Sequence, residues 1–320
     1  MIVDVGARGG LQPHWRPIAD HVTWIGFEPD ARSAEALTPA AVPARSHILP
    51  VALNDTRGRV TLHRTRDEGD SSLLRPNRPF LEQFGRPERF EVVDSIELEA
   101  DTLDAQLALI DTRRVDVLKL DTQGSELAIL RGAIQTLTSG PLAVDVEVEF
   151  SAMYEDQPLF ADVDQFLRPF ELQLIDLAPR RWPYTAGEHL HLARGPVVWA
   201  EALYFPTIDR AWREIASCSA NARGPRLAKA CLVALMYGFP DYAMALIERT
   251  AAQMDVSESQ GMRDAVREWD ASADGPRVPV TIGVTPDQMR ALKESAPRTG
   301  MKPTQQLRSL VQQWMKLQRH

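Results

Sequence analysis

Cysteine is almost absent from this chain. Cys218 and Cys231 are the two it has. They fall in one helical stretch, cannot form a disulfide framework, and show no Cys-x-x-Cys spacing for zinc. Two buried, reduced thiols in a cytoplasmic protein are the expectation. No apolar run comes near the ~18 residues of a membrane-spanning helix, and no basic-then-apolar leader opens the chain. Positive charge is in deficit, with 36 Lys and Arg against 44 Asp and Glu, for a formal net charge of -8. That balance argues against wholesale nucleic-acid binding, although a local basic patch is compatible with it. The first glycine turn also lacks the G-x-G-x-x-G spacing of dinucleotide-binding folds.

What is present is a regular alternation. The 320 residues, 44% of them hydrophobic, suffice for one large domain and a smaller one. Short apolar runs read as strands: "MIVDVG", "VTWIGFEPD", "SHILPVALND", "GRVTLHRT", "FEVVDSIEL", "VLKLD", "LAVDVEVEF", "ELQLIDLAP" and "PVVWAEALYFP". Between them lie segments with helical spacing, among them "LQPHWRPIADH", "ARSAEALTPA", "LDAQLAL" and "PLFADVDQFLRPF". After "VLKLD", Leu127, Leu130, Ile134 and Leu137 share one helical face. Such alternation predicts an α/β fold, a doubly wound and mostly parallel sheet with helices on both faces. The polar stretch "RDEGDSSLLRPNRPFLEQFGRPERF" is too long for a simple connection and reads as a functional or flexible loop. Strands stop after Pro206. Residues 207–272 read as an α-helical extension, "ADGPRVP" as a linker, and residues 277–320 as a small strand-helix-helix tail. Only Met1 precedes the first strand, where such folds usually carry more, so a trimmed or unusual start is expected.

Ligands of doubly wound sheets sit outside the carboxyl ends of the strands. There, "VDVGARGG" places Gly6, Gly9 and Gly10, which allow a sharp turn and close approach of backbone to ligand. Asp4, two residues before the first glycine, suits a ligand with an ammonium group better than a pyrophosphate. Glu28 in "GFEPD" ends the next strand ~20 residues on, where an acid accepts bonds from ribose hydroxyls. Together they fit an adenosine bearing a charged amino acid. This constellation resembles the class I S-adenosylmethionine-dependent methyltransferases. The succession of "VDVGARGG", "GFEPD", "VALND", "DSSLL", "ADTLDAQL", "VDVLKLDTQGSELAILRGA" and "EALYF" narrows the resemblance to the FkbM-type family. That family's strand-turn-helix pattern K-I-D-x-E-G-x-E-x-x-x-L-x-G is matched by Lys119, Asp121, Gly124, Glu126, Leu130 and Gly132. Gln123 stands where an acid is usual.

The resemblance implies a seven-stranded, Rossmann-like methyltransferase domain over residues 1–206. It implies S-adenosyl-L-methionine as methyl donor, S-adenosyl-L-homocysteine as product, and a hydroxyl acceptor on a sugar, glycan or polyketide-like natural product. By the same resemblance, the turn of Asp4, Gly6, Ala7, Arg8 and Gly10 holds the methionine part. Glu28, with Pro29 closing its strand, holds the ribose. Ala52, Leu53 and Asn54 flank the adenine, and Asp121 and Gln123 lie near the sulfonium. The residues themselves add weight to Asp121, because a carboxylate ending a buried strand costs free energy unless paired. Lys119 can pair with it if both are extended. Glu126, in the first turn of a helix, is expected to serve that helix's free N–H groups and dipole. Asp145, Glu147 and Glu149 alternate along a strand whose faces should be apolar, and Glu147 is the second candidate base. Carboxylates alone do not specify a metal, and none is assigned. Ser71 and Ser72 match the family's serine pair and read as part of a lid. His189 is a weaker candidate on the substrate side, while His63 and His191 read as surface or satisfied core residues.

The tail of residues 277–320 resembles a ribbon-helix-helix module, with Val280, Ile282 and Val284 alternating along its strand. Such modules pair strands between two chains and read DNA with the outward residues. Outward here are Pro279, Thr281 and Gly283, which offer little for reading bases. A homodimer paired through residues 278–284 is therefore favoured over DNA binding. Two other functions compete with methyl transfer. One is a DNA-binding regulator that only senses the cofactor. The other is a nicotinamide-dependent oxidoreductase, disfavoured by Asp4 and the missing fingerprint.

Overall fold

The aliphatic runs of the first two hundred residues pair into two sheets. A computed structural model describes residues 1–30, 32–33, 42–112, 114–191 and 193–271. The strands are β1 (Ile2–Val5), β2 (Thr23–Phe27), β3 (Arg45–Leu49), β4 (Ala52–Leu53), β5 (Gly58–Thr65), β6 (Val92–Asp101), β7 (Val117–Leu120), β8 (Ala143–Glu149), β9 (Leu172–Arg181) and β10 (Val197–Pro206). Seven of them form the main sheet, in the order β3-β2-β1-β7-β8-β10-β9. All its ladders are parallel except those of β10, which runs antiparallel to both neighbours. The expected doubly wound, seven-stranded and mostly parallel α/β fold is observed. The topological switch lies at β1, which pairs with both β2 and β7, so the crevice outside its carboxyl end is the expected ligand site.

Period-two alternation sorts the side chains between two faces. Val3, Val5, Leu118, Leu120, Val144, Val146 and Val148 share one hydrophobic cluster with Leu103, Leu107, Leu127, Leu130 and Leu137. Those leucines come from α2 (Leu103–Leu109), α3 (Glu126–Arg131) and α4 (Ile134–Thr138), which follow α1 (Arg78–Leu81) in the chain. On the opposite face Ile2, Trp24, Val117, Ala143, Leu203 and Phe205 share a cluster with Leu227, Val233, Leu246 and Ile247. After α5 (Phe160–Leu167) come the helices α6 (Ile208–Ser217), α7 (Ala220–Met236), α8 (Pro240–Thr250) and α9 (Val256–Ala271). Residues of α7 and α8 therefore cover the second face of the sheet, and the described residues belong to one compact unit. Further along this face the pattern changes from apolar to charged. Asp4, Lys119 and Asp145 are in register across β1, β7 and β8, and Glu147 faces Glu201 across β8 and β10.

Local chemistry explains where the elements differ from the sequence reading. "SHILPVALND" does not form one strand. It breaks at Pro50, which has no N–H for a ladder; β3 stays in the main sheet while β4 joins a second sheet of order β4-β6-β5. "LQPHWRPIADH" forms 3₁₀ turns over Pro13–His21, with Pro17 inside and Ile18 out of helical geometry. The long polar stretch is ordered. Leu81 and Phe90 are buried with Met153, Tyr154 and Val198, and Arg89 donates to the buried Asp70 at 2.7 Å. Most of the helix expected over 31–40, and all of the tail 277–320 with its pairing strand 278–284, lie outside the described residues. No helix of the described residues is long and apolar enough to cross a membrane.

Candidate active site

A cavity of about 660 Å³ opens beside the carboxyl ends of β1, β2 and β7. Its floor is set by the glycine turn. Gly6 has φ 81°, in the left-handed region, and its N–H donates to Phe27 O at 3.0 Å. A Cβ at Gly6 would lie 1.8 Å from the Asp121 carbonyl oxygen, so glycine lets β1 and β7 close on each other beneath the cavity. Gly10 has φ 70° and ψ -164°, a conformation that only glycine adopts readily. Gly9 differs from both: it has no positive φ, and a Cβ there meets open space.

Most of the residues singled out from the sequence converge here. Asp4, Gly6, Arg8 and Gly10 line the cavity from the first turn, and Glu28 and Pro29 from the end of β2. Ala52 and Leu53 line it from β4, Asp121 and Gln123 from the turn after β7, and Ser71 and Ser72 from the long polar segment. Four do not line it. Ala7 is buried beneath the turn. Asn54 points its backbone into the second sheet, donating to Asp101 O at 2.9 Å, with its carbonyl against Gly132. Glu147 sits behind Gln123, and its Oε1 accepts from Gln123 Nε2 at 2.9 Å. His189 is exposed and outside the lining.

The charges are organised around Lys119. Its Nζ lies 3.4 Å from Asp4 Oδ1 and 3.3 Å from Asp121 Oδ2, so β7 is still extended where the pair forms. Asp4 also accepts from Trp24 Nε1 at 3.3 Å. Burial lowers the proton affinity of the Lys119 ammonium, but Asp4 and Asp121 outweigh it, and the net shift is upward. Burial pushes Asp4 up to about 6, with Lys119 and Trp24 opposing. Burial also pushes Glu28 up to about 7 and Glu201 up to about 7. Glu147 is raised well above the ordinary carboxylate range by burial and by Asp121 and Glu126. Burial, Glu126 and Asp121 push Glu149 up to about 9.

Gln123 is the knot of this region. It is a non-glycine residue with φ 59°, a conformation costing of the order of 1–3 kcal/mol. Three hydrogen bonds hold it there, and a fourth polar atom lies close. Its Nε2 donates to Asp121 Oδ1 at 3.1 Å and to Glu147 Oε1 at 2.9 Å. Its backbone oxygen accepts from Ser72 Oγ at 2.7 Å, and Tyr154 Oη lies 3.3 Å from its Oε1. Glu126 plays the part expected of it in a more local form, accepting from Thr122 N at 2.6 Å and Gly124 N at 2.9 Å. It closes the turn that presents Gln123.

Two cavity residues and one side chain beside Gln123 escaped the sequence reading. Lys119 was visible as a motif match and as a partner for Asp121, and it also lines the cavity. Glu201 stood in "VVWAEALYF" as a lone acid in an apolar strand, a signal of the same kind as Glu147. Tyr154 gave no sequence signal, because its role comes from the folding-back of the polar segment onto the sheet.

A seven-stranded sheet with one antiparallel strand, and a glycine turn and an acid at the carboxyl ends of β1 and β2, define the class I methyltransferase-like α/β fold. The model of the Methyltransferase FkbM domain matches residues 4–173, more than half of the chain, and the chain belongs to that family. A curated relative, the 2-O-methyltransferase NoeI of Sinorhizobium fredii (strain NBRC 101917 / NGR234), is 28% identical over 181 residues, covering 54% of this chain and 72% of its own length. A crystal structure of the methyltransferase FkbM of Methylobacillus flagellatus KT aligns with 17% identity and a TM-score of 0.35. It covers 64% of this chain, which spans 42% of that one.

Proposed function

We propose that the protein is an S-adenosyl-L-methionine-dependent O-methyltransferase acting on a hydroxyl of a glycan or a related natural product. The observation that carries this reading is one cavity with the glycine turn and Glu28 on one side, and Asp121, Lys119 and Gln123 on the other. The relative named as a 2-O-methyltransferase supports oxygen as the acceptor atom. The residues fit the donor. Backbone at Gly6 and Gly10 can approach a ligand without Cβ interference, and Glu28 retains a carboxylate facing the cavity for ribose hydroxyls. Ala52 and Leu53 offer an apolar wall for a base.

The donor supplies an activated methyl group on sulfur, and the chain's task is alignment and proton handling. Alignment of acceptor oxygen, methyl carbon and sulfur supplies several kcal/mol. Asp121 is the better placed of the two candidate bases. It lines the cavity with its side chain 32% exposed, whereas Glu147 is buried behind Gln123, where burial and the neighbouring Asp121 raise its proton affinity. Lys119 and Gln123 fix both Asp121 oxygens, which orients the carboxylate toward an incoming hydroxyl. Asp4 accepts from Trp24 and forms an ion pair with Lys119, while its Oδ1 has no hydrogen-bond partner among the described residues. Ser72, tied to Gln123, makes the polar segment a wall of the site.

Calorimetry with S-adenosyl-L-homocysteine, followed by transfer of labelled methyl to hydroxyl-bearing glycans, tests the reading. Saturable binding lost in Glu28→Ala is expected. Tight, salt-sensitive binding of random duplex DNA without methyl transfer would replace this reading with a DNA-binding regulator.

A further inference from the structure

The sheet face beyond the cavity floor carries Asp4, Asp121, Asp145, Glu147, Glu149 and Glu201, with Lys119 placed among them and Arg180 also acting on Glu201. Four of the six have neutral partners. Asp4 accepts from Trp24, Asp145 accepts from Gln12 at 3.1 Å and Tyr237 Oη at 3.2 Å, and Asp121 and Glu147 share the single amide of Gln123. Three of the acids converge. One carboxylate oxygen each of Asp121, Glu147 and Glu201 lie within 4.8 Å of one another.

A second observation points to a missing ligand. Glu149 is 2% exposed, and its Oε1 has no hydrogen-bond partner among the described residues. It follows Glu147 on the same face of β8, and Glu126, then Asp121 and Glu201, are the charges that act on it. Glu201 Oε2 is likewise buried and unpartnered. A buried carboxylate oxygen without a partner carries a full desolvation penalty when charged; Glu149 Oε1 is such an atom outside the three-carboxylate cluster and Glu201 Oε2 is one within it, and a positive ligand would serve both.

Gln123 adds a means of accommodating one. The Tyr154 hydroxyl has a single proton and two neighbours that can only accept, Asp70 O at 2.8 Å and Gln123 Oε1 at 3.3 Å. The nearer carbonyl takes the proton. Turned over, the amide would donate from Nε2 to the Tyr154 oxygen and present Oε1 to Asp121 and Glu147. Every polar atom of the knot would then be matched, provided a cation lay between the oxygens.

We propose that Asp121, Glu147 and Glu201, joined by the reoriented amide oxygen of Gln123, form a binding site for a hard divalent cation of the Mg²⁺, Mn²⁺ or Ca²⁺ kind. An all-oxygen set selects such ions over softer metals. The site adjoins the acceptor side of the cavity, since Asp121 and Glu201 both line it. On the methyltransferase reading, a cation there places positive charge beside the acceptor oxygen and favours its deprotonation. That role rests on the proposed function, while the binding site does not.

The test is titration of the chelator-treated full-length protein with Mn²⁺, followed by the electron paramagnetic resonance signal of the free ion. Binding of S-adenosyl-L-homocysteine is measured in parallel. One saturable site per chain is expected, displaced by excess Mg²⁺ or Ca²⁺. Glu147→Gln and Glu201→Gln should each weaken it at least roughly tenfold, the loss that even outer partners of a metal ligand cost. Gln123→Glu should tighten it, and Glu99→Gln, at an exposed site on β6, should leave it unchanged. Wild-type protein without a saturable site overturns the proposal, whatever the variants do. So does Mn²⁺ binding that both Glu→Gln variants retain while they still bind S-adenosyl-L-homocysteine. Failure of S-adenosyl-L-homocysteine binding with the Mn²⁺ site intact would instead remove the methyltransferase reading alone.

Discussion

Gly6→Ala isolates the closest approach in the site. Two costs add in the folded state. A non-glycine residue forced to φ 81° costs roughly 1–2 kcal/mol. The new Cβ would also meet the Asp121 carbonyl oxygen at 1.8 Å and its carbon at 2.8 Å, an overpacking of the sort that costs about 1–3 kcal/mol. The obstacle is backbone, and Asp121 N is itself bonded to Val5 O at 3.0 Å, so relief requires prising β1 from β7. The expected loss is about 2–5 kcal/mol, the sum of those two ranges. At about 2–4 °C per kcal/mol that is a fall in Tm of roughly 4 °C or more. Because the displaced residue is Asp121, affinity for S-adenosyl-L-homocysteine should fall with it. Gly9→Ala is the internal control. It lies in the same turn and lines the same cavity, but its Cβ meets nothing, and its stability should change by no more than about 0.5 kcal/mol. Scanning calorimetry and ligand titration of the two variants side by side decide the matter. Equal behaviour of Gly6→Ala and Gly9→Ala would refute the close-approach argument.

Further expectations concern the acids and the polar wall. Glu28→Ala should weaken S-adenosyl-L-homocysteine binding by about ten- to a hundredfold, the worth of hydrogen bonds to a charged group, with equal affinity counting against a ribose role. Asp121→Asn should lower turnover by about 10²–10⁴ if Asp121 is the base, with less effect on Tm; full activity would end that assignment. Burial raises Glu28 from 4.5 to about 7, so the folded state holds the proton more tightly than the unfolded chain, and its stability falls as pH rises through that window. Glu28→Gln should therefore gain Tm over wild type at pH 8 and not at pH 4, read by thermal melts at both. Arg89→Ala strands the buried Asp70, whose side chain is 6% exposed, and should cost about 3 kcal/mol by urea unfolding.

The main sheet was legible because its signals are local. Aliphatic runs such as "MIVDV" and "LAVDVEVEF" and the glycine turn after β1 determine strand type and site position with little help from distant chain. The break at Pro50 and the second sheet were not legible, since alternation does not say which strands pair. Asp4 was legible as a cavity residue, but its partners were not. Its contacts with Trp24 and Lys119 arise from register across β1, β2 and β7, which one strand's sequence does not reveal. The same holds for Glu201, brought opposite Glu147 only by the antiparallel insertion of β10. The division between the methyltransferase residues 1–206 and the helices after them rested on composition, and composition is silent about which sheet face those helices cover.

That last point bears on how this fold can be moved. The family match ends at residue 173, inside the edge strand β9, and the last strand ends at Pro206. A chain cut at either place would leave Trp24 and Val117 facing water and Asp145 without Tyr237; the cut at 206 would bare Phe205 as well, and the cut at 173 would remove β10 altogether. The unit that can be grafted, swapped or fused as a working module is therefore longer than the family pattern that identifies it, and its safe joint lies at or beyond residue 271.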